Sequence, residues 1–330
     1  MSAKEKFSIG LDIGTHSIKL VKLRLVRDVQ ELSSFALEPV GLNLSEPLKR
    51  LKSEQGIESA NISVSGTATL LRYVNFPKMN EAEMRQALKY EAQKHIPFST
   101  SEINLDGSIL KDDLPDNKML TLIAAVKKEF IKERLELLEE ALIRVNIIDI
   151  DSLALINAFN FNYGLEDNLK HKAVALVNIG ASMTNLNIIE DGIPRLSRDI
   201  QVSGNNFTQK LADIFGVDFK SAEAFKLNPE KEKASDVAVA LEAAFSKLAG
   251  EIRTSFDYYE SQSASTVAKI FLSGGSSLFS GLKDILANLL GIEAIYWSPF
   301  NKINLSAEVD LSKVKGLSAQ LSVAAGLALR

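Results

Sequence analysis

Hydrophobic positions along the chain change period several times, and those changes outline the elements. Residues 7–12 and 17–25 predict two strands around a small-residue turn at 14–16, and 31–39 predicts a third, so 7–40 reads as a meander. Strand signal returns at 61–65 and 70–75. After a break at 76–80, Asn80 and Glu83 have capping-box spacing. Met84, Ala87, Leu88, Ala92 and His95 then recur at helical spacing until Pro97. Strands at 103–110 and 121–126 follow, joined by a polar turn at 111–118. An amphipathic helix over 129–143 comes next, with Ile131, Leu135, Leu138 and Leu142 expected inward. Residues 76–147 thus predict a small β/α unit inserted into a first domain, 1–171.

A strand at 147–150 and a helix at 152–161 lead into a return of the opening pattern. Strands at 173–178 and 184–190 flank a small-residue turn at 180–182. Asp191-Gly192 predicts a tight hairpin into a strand at 195–201. Helices are expected at 204–215 and 218–227, a charged connection at 228–236, and a long helix at 237–262. A short strand at 269–272 runs into Ser273-Gly274-Gly275-Ser276-Ser277, with helices at 281–290 and 317–330 beyond it. The repeated strand, turn and strand predicts a second domain, 172–330, facing the first across a cleft.

Composition narrows the class. With 330 residues, two domains of ordinary size are expected. A net charge of −4 argues against broad nucleic-acid binding, which favours a basic stripe. No cysteine is present, so thiolate metal sites and cysteine nucleophiles are excluded. The N-terminus carries no apolar signal region, and no window approaches the ~18 apolar residues of a membrane span. A cytosolic protein without membrane insertion is expected. His16, His95 and His171 are too scattered for a metal site.

Three segments carry candidate chemistry. In Gly10-Leu11-Asp12-Ile13-Gly14-Thr15-His16-Ser17-Ile18-Lys19, a carboxylate ends a strand and a glycine turn offers backbone N–H groups and hydroxyls to phosphate oxygens. Asp12 suits a Mg2+ held through water. Lys19 shares a strand face with Ser17 and could neutralise phosphate charge. The second segment repeats the design: Asn178 stands where the first has Asp12, followed by Gly180, Ala181, Ser182 and Thr184. In the third, Gly274, Gly275, Ser276 and Ser277 give a backbone that can lie against adenine and ribose. Glu251, Arg253 and Ser255 on the long helix are candidates for the purine edge, or equally a solvated, salt-bridged face.

In this order the segments resemble the phosphate-one, phosphate-two and adenosine motifs of the actin, sugar-kinase and DnaK-type superfamily. Within it the chain is most similar to the PilM family of type IV pilus assembly proteins, on GLDIGTHSIKLVKL at 10–23, YEAQKHIPF at 90–98, EIRTSFDYYESQ at 251–262 and FLSGGSSLFSGL at 271–282. FtsA is a more distant cousin. The resemblance implies an α/β, actin/DnaK-type ATPase fold: two ribonuclease-H-like domains around a nucleotide cleft, with a small inserted subdomain. It implies ATP and Mg2+ as cofactors. It also implies that a groove at the inserted unit takes the N-terminal cytoplasmic tail of a PilN-like membrane protein, with pilus motor components as further candidate partners.

Tyr73, Phe76, Met84, Leu88 and Phe98 are the candidate apolar lining of that groove, although a plain core position is the more usual place for any one of them. Asp151 falls where relatives carry a catalytic Glu or Gln, whereas Asn178 replaces an Asp common in relatives. Nucleotide binding with at most slow hydrolysis is therefore expected. The functional expectation is a cytoplasmic adaptor, peripheral at the inner membrane through its partner. The alternative is a filament-forming ATPase of the FtsA or MreB type. A small-molecule kinase would need a carboxylate base beside a polar pocket, and no residue is nominated for it.

Overall fold

The computed structural model describes residues 7–41, 43–164, 166–227 and 234–330, so residues 1–6 and positions 228–233 of the expected charged connection lie outside the described residues. The opening meander is β1 (Phe7–Ile13), β2 (Ser17–Val26) and β3 (Val29–Pro39), with Arg27 and Asp28 in the left-handed region at the second turn. Next come α1 (Ser45–Gln55) and β4 (Ser59–Val64), then an inserted unit. This unit comprises β5 (Thr69–Pro77), α2 (Glu81–His95), β6 (Ile103–Leu114), β7 (Lys118–Lys127) and α3 (Lys128–Glu140). β8 (Arg144–Ile150) and α4 (Asp151–Tyr163) complete the half.

The second half repeats the plan with β9 (Ala173–Ile179), β10 (Thr184–Glu190), β11 (Ile193–Ile200), α5 (Gly204–Phe215), α6 (Phe219–Leu227), α7 (Ala234–Gln262), β12 (Val267–Ser273), α8 (Leu282–Leu290) and β13 (Ala294–Tyr296). The chain ends in β14 (Asn304–Leu305), α9 (Leu311–Leu317) and α10 (Ser322–Ala328).

Two sheets have matching order. The first runs β14-β3-β2-β1-β4-β8 and the second β11-β10-β9-β12-β13. In each, an antiparallel meander is extended by two parallel strands. A sheet of order 3-2-1-4-5, occurring twice, is the paired ribonuclease-H-like arrangement of the actin/DnaK-type ATPase fold. The third sheet, β5-β7-β6, belongs to the inserted unit, whose strands begin at Thr69 and whose last helix ends at Glu140.

Residues after the second sheet return to the first. β14 pairs in parallel with β3, and α10 packs its Leu321, Ala324, Ala325 and Ala328 on Val21, Leu23 and Leu32. A strictly linear division at residue 171 does not describe this return. The opposite face of α10, with Val323 and Leu327, joins α4, which packs on Val174, Leu176, Ile189 and Phe271 of the second sheet. α10 approaches β1 and α4 through two glycines. A Cβ on Gly10 would overlap the carbonyl oxygen of Ala324, and one on Gly326 would overlap that of Ala154.

Other expectations shift for local reasons. The Asn80–Glu83 capping box forms, with both hydrogen bonds at 3.0 Å. The 111–118 turn shrinks to Pro115–Asn117 because β6 and β7 continue pairing to Leu114 and Lys118. Leu142 is not inward: α3 stops at Glu140, and Leu142 sits 73% exposed in a left-handed turn while Ile143 takes the core position. Leu135 is 40% exposed, whereas Leu138 is buried as expected. α1, α9, β13 and β14 are not among the elements that the sequence pattern predicts.

The crossing at Gly326 is testable. Gly326→Val should cost at least roughly 1–3 kcal/mol, because the α4 backbone has to move. Gly316→Ala, on the exposed face of α9 with nothing within 4 Å of its Cβ, should leave the thermal midpoint unchanged or higher. Equal midpoints for the two variants would contradict the crossing.

Candidate functional site

The β1–β2 turn builds the first part of the site. Asp12, buried at the end of β1, is the cross-strand partner of Lys19, and their side chains meet at 3.2 Å. The ammonium lies beneath Gly14, where a Cβ would come within 2.7 Å of Nζ. Thr15 and His16 are exposed at the tip and Ser17 is buried. The His16 carbonyl accepts from the Val40 N–H at 2.9 Å and anchors the turn to the end of the meander. A carboxylate already paired with a lysine, beside an open polar turn, suits a hydrated cation and phosphate oxygens better than a bare metal site. Among the described residues, no group of three or more His, Asp or Glu side chains is placed to hold a metal ion.

The second and third segments touch. Gly180 N–H donates to the Met183 carbonyl at 2.9 Å, closing the turn. The α5 N-terminus docks onto it, with Gly204 N–H donating to the Gly180 carbonyl at 3.0 Å and Asn205 N–H to that of Ala181 at 2.7 Å. Gly274 has φ 87°, and a Cβ there would overlap the Ile179 carbonyl oxygen. Gly204 packs against Ser276, whose hydroxyl would have to turn away to admit a Cβ there. Ser182 and Gly275 are exposed on this joint surface, and Ser273 Oγ donates to Asn178 Oδ1 at 3.3 Å. Two candidates are spent internally: Thr184 Oγ1 donates to the Val202 carbonyl at 2.7 Å and Ser277 Oγ to that of Gly274 at 2.7 Å.

The α7 candidates serve the second half's own packing. Glu251 Oε2 takes a 2.6 Å bond from Arg198, which also donates to Ser255 Oγ at 3.0 Å. Arg253 donates to the Leu290 carbonyl and holds the C-terminal end of α8. The salt bridge expected of these residues is present, made by Arg198 to Glu251. Next to the α5 N-terminus lies a pair not expected from the sequence, in which the buried Lys226 meets the partly buried Glu223 at 2.7 Å and donates to Thr208 Oγ1 at 2.8 Å and to the Gly204 carbonyl at 3.3 Å. Its signal was an acid and a lysine three apart on a short, alanine-bearing helix (Ala222-Glu223-Ala224-Phe225-Lys226).

Asp151 opens α4 between the halves. Burial and the nearby Asp12 carboxylate push its carboxyl up to about 6, against a pull back down from the Ser63 and Ser65 hydroxyls. Arg134 of α3 is pushed down by burial and feels the attraction of Asp151 and Asp12.

A cleft of about 360 Å3 lies close by. The 65–67 loop, Thr69–Arg72 of β5 and Phe98 line one side, Asn185 with Ser197–Asp199 and Gln201 the other, and Ile150 and Ser152 the floor. Gly14, Gly180 and Gly274 are not among its lining residues. Two polar contacts bridge it: Gly66 N–H donates to Asp199 Oδ2 at 3.2 Å, and Tyr73 Oη meets Ser197 Oγ at 2.7 Å.

Of the five apolar groove candidates, Phe76, Met84 and Leu88 are core between α2 and the inserted sheet, at 2%, 0% and 5% exposure. Phe98 lines the cleft and Tyr73 reaches across it.

The sequence profile of the family described as type IV pilus assembly protein PilM matches residues 10–330. The chain belongs to the PilM family. A PilM-PilN type IV pilus biogenesis complex is similar in structure, with a TM-score of 0.87 and 24% identity over 98% of each chain. The ethanolamine utilization protein EutJ from Carboxydothermus hydrogenoformans has a TM-score of 0.59 and 13% identity over 100% of this chain and 91% of its own. (R)-2-Hydroxyglutaryl-CoA dehydratase component A of Acidaminococcus fermentans has a TM-score of 0.51 and 12% identity over 98% and 96%. At these identities the likenesses establish a shared fold. In this PilM-family chain no helix among the described residues is long and apolar enough to cross a membrane.

The raised Asp151 carboxyl has a signed consequence. It binds its proton more tightly folded than unfolded, so stability falls as pH rises from about 4 to about 6. The penalty, up to about 3 kcal/mol, is complete above that window. Asp151→Asn should therefore melt higher than wild type at pH 8, with the gap closing towards pH 4. A variant less stable than wild type at pH 8 would contradict the assignment.

Proposed function

We propose that this chain is a cytoplasmic ATP-binding adaptor of type IV pilus assembly that takes the N-terminal cytoplasmic tail of a PilN-like inner-membrane protein. The observation that carries the nucleotide part is the matched pair of glycine turns. They occupy equivalent corners of two sheets of identical order, and the second is in contact with the Gly274 segment. Asp12 and Lys19 supply a carboxylate for a hydrated Mg2+ and an ammonium for phosphate. The N–H groups at 14–16 and 181–182 are the phosphate donors, that of Gly180 being used to close its own turn. Gly274, Gly275 and Ser276 give the purine a surface without bulky side chains. Glu223 and Lys226 lie at the same end through Gly204 and support the ribose side. Asp151, ionised for the most part above about pH 6, is the group that can orient water, consistent with slow turnover.

Membership in the PilM family and likeness to a PilM-PilN complex over 98% of the chain support the partner. The cleft beside the inserted unit is the place for the tail. β5 and β11, which line it, are both the last strands of their sheets, so each has a backbone edge unpaired within its sheet, the kind of edge that an extended segment can join. The tail thereby holds the adaptor at the inner membrane without insertion.

Calorimetric titration checks both halves of the reading. Asp12→Ala should lose at least about tenfold in affinity for ATP with Mg2+ at an unchanged melting curve; wild-type affinity would overturn the nucleotide site. Phe98→Asp should weaken a synthetic PilN-like tail peptide about tenfold or more while ATP still binds. Phe76→Asp should unfold the inserted unit, because it places a charge in the core. Retained tail binding by Phe98→Asp would overturn the cleft.

A further inference from the structure

The second sheet is apolar through most of its centre, yet a row of polar side chains crosses one face. Ser273 on β12, Asn178 on β9, Asn185 on β10 and Asp199 on β11 are directly opposed cross-strand partners at every step. Their hydrogen bonds run in one direction. Ser273 Oγ donates to Asn178 Oδ1 at 3.3 Å, Asn178 Nδ2 to Asn185 Oδ1 at 3.3 Å, and Asn185 Nδ2 to Asp199 Oδ1 at 2.6 Å. The other oxygen, Asp199 Oδ2, accepts the Gly66 N–H from the β4–β5 loop of the first half. One end of the row thus lies at the second glycine turn. At the other end, Gly66, Asn185 and Asp199 all line the cleft.

Such a row is costly to build and specific once built. Asn185 is 5% exposed, and a buried amide must satisfy its donor and acceptor sides at once. Each side-chain amide here donates on one side and accepts on the other, so turning one forces its neighbour to lose a bond, and the bonds along the row reinforce one another. Burial raises the Asp199 carboxyl above the usual range, against the opposing pull of its bonds to Asn185 and Gly66.

We propose that the Ser273–Asn178–Asn185–Asp199 row couples the nucleotide turn to the 66–72 segment, so that engaging Asn178 changes how firmly Asp199 holds Gly66 and hence the shape of the cleft. This rests on the nucleotide reading above. Asn178, the counterpart of Asp12 at the start of the second glycine turn, is the member of the row that we add to that reading as a ligand contact; Asn185 and Asp199 act as positioning residues. By linkage, a segment held in the cleft changes nucleotide affinity by the same factor.

Amide hydrogen exchange at Gly66 reads the transmission directly, using ATP with Mg2+ as the ligand at a concentration saturating for each protein. In wild type the exchange rate of the Gly66 amide should change by about fivefold or more on binding. Asp199→Asn keeps the shape but has one acceptor oxygen for two donors, and Asn185→Ala removes the middle of the row. Both should bind ATP yet lose the response. A Gly66 rate unchanged by bound ATP in wild type, or variants that respond as wild type does, would overturn the coupling. Failure of wild type to bind ATP would sink the nucleotide reading and the coupling with it.

Discussion

The close crossing of α4 and α10 is the constraint on which the rest of the molecule depends. α10 is held between β1 of the first sheet and α4, and each of these contacts needs a residue without a side chain: Gly10 of β1 under Ala324, and Gly326 of α10 under Ala154. Asp12 is two residues beyond Gly10 on β1, and Asp151 is three residues before Ala154 at the start of α4. The same close packing that joins the halves therefore fixes the separation of the two carboxylates at their junction. An extra methyl group at either glycine would shift backbone, because interiors this dense have no slack.

Electrostatics follows from that placement. Two acids near one another in a partly dry site cannot both keep an ordinary proton affinity. Burial above all, with the Asp12 carboxylate adding to it, pushes the Asp151 carboxyl up to about 6, while Asp12 itself is paired with Lys19. The Asp149 carboxyl, two residues earlier, is also raised by burial but has the Arg330 guanidinium at 2.6 Å to oppose it. One carboxylate is thus matched by a cation and structural, while the other is left poised. That contrast supports Asp151 as the group available to a bound ligand's water.

The repeated meander was legible because strand alternation and turn chemistry are local: the Asp191-Gly192 hairpin has both residues in the left-handed region, as its sequence demands. The Asn80 cap was equally local. Other features were not legible because they depend on distant partners. Arg198 on β11 claims Glu251 and Ser255, so two residues that look free on a helix are occupied. Phe76, Met84 and Leu88 have the pattern of a groove, but the inserted sheet closes over them. β14 is two residues long and exists only because β3 offers it an edge. The cleft between β5 and β11 joins segments over a hundred residues apart, so neither strand signals it alone.

The central claim is that two like halves clasp one nucleotide between their glycine turns. A crystal structure of the protein with a non-hydrolysable ATP analogue and Mg2+ tests it most directly. The account predicts the triphosphate between residues 14–16 and 180–182, with the purine against 274–276. A nucleotide bound elsewhere, or turns left unbridged at saturating analogue, would contradict it.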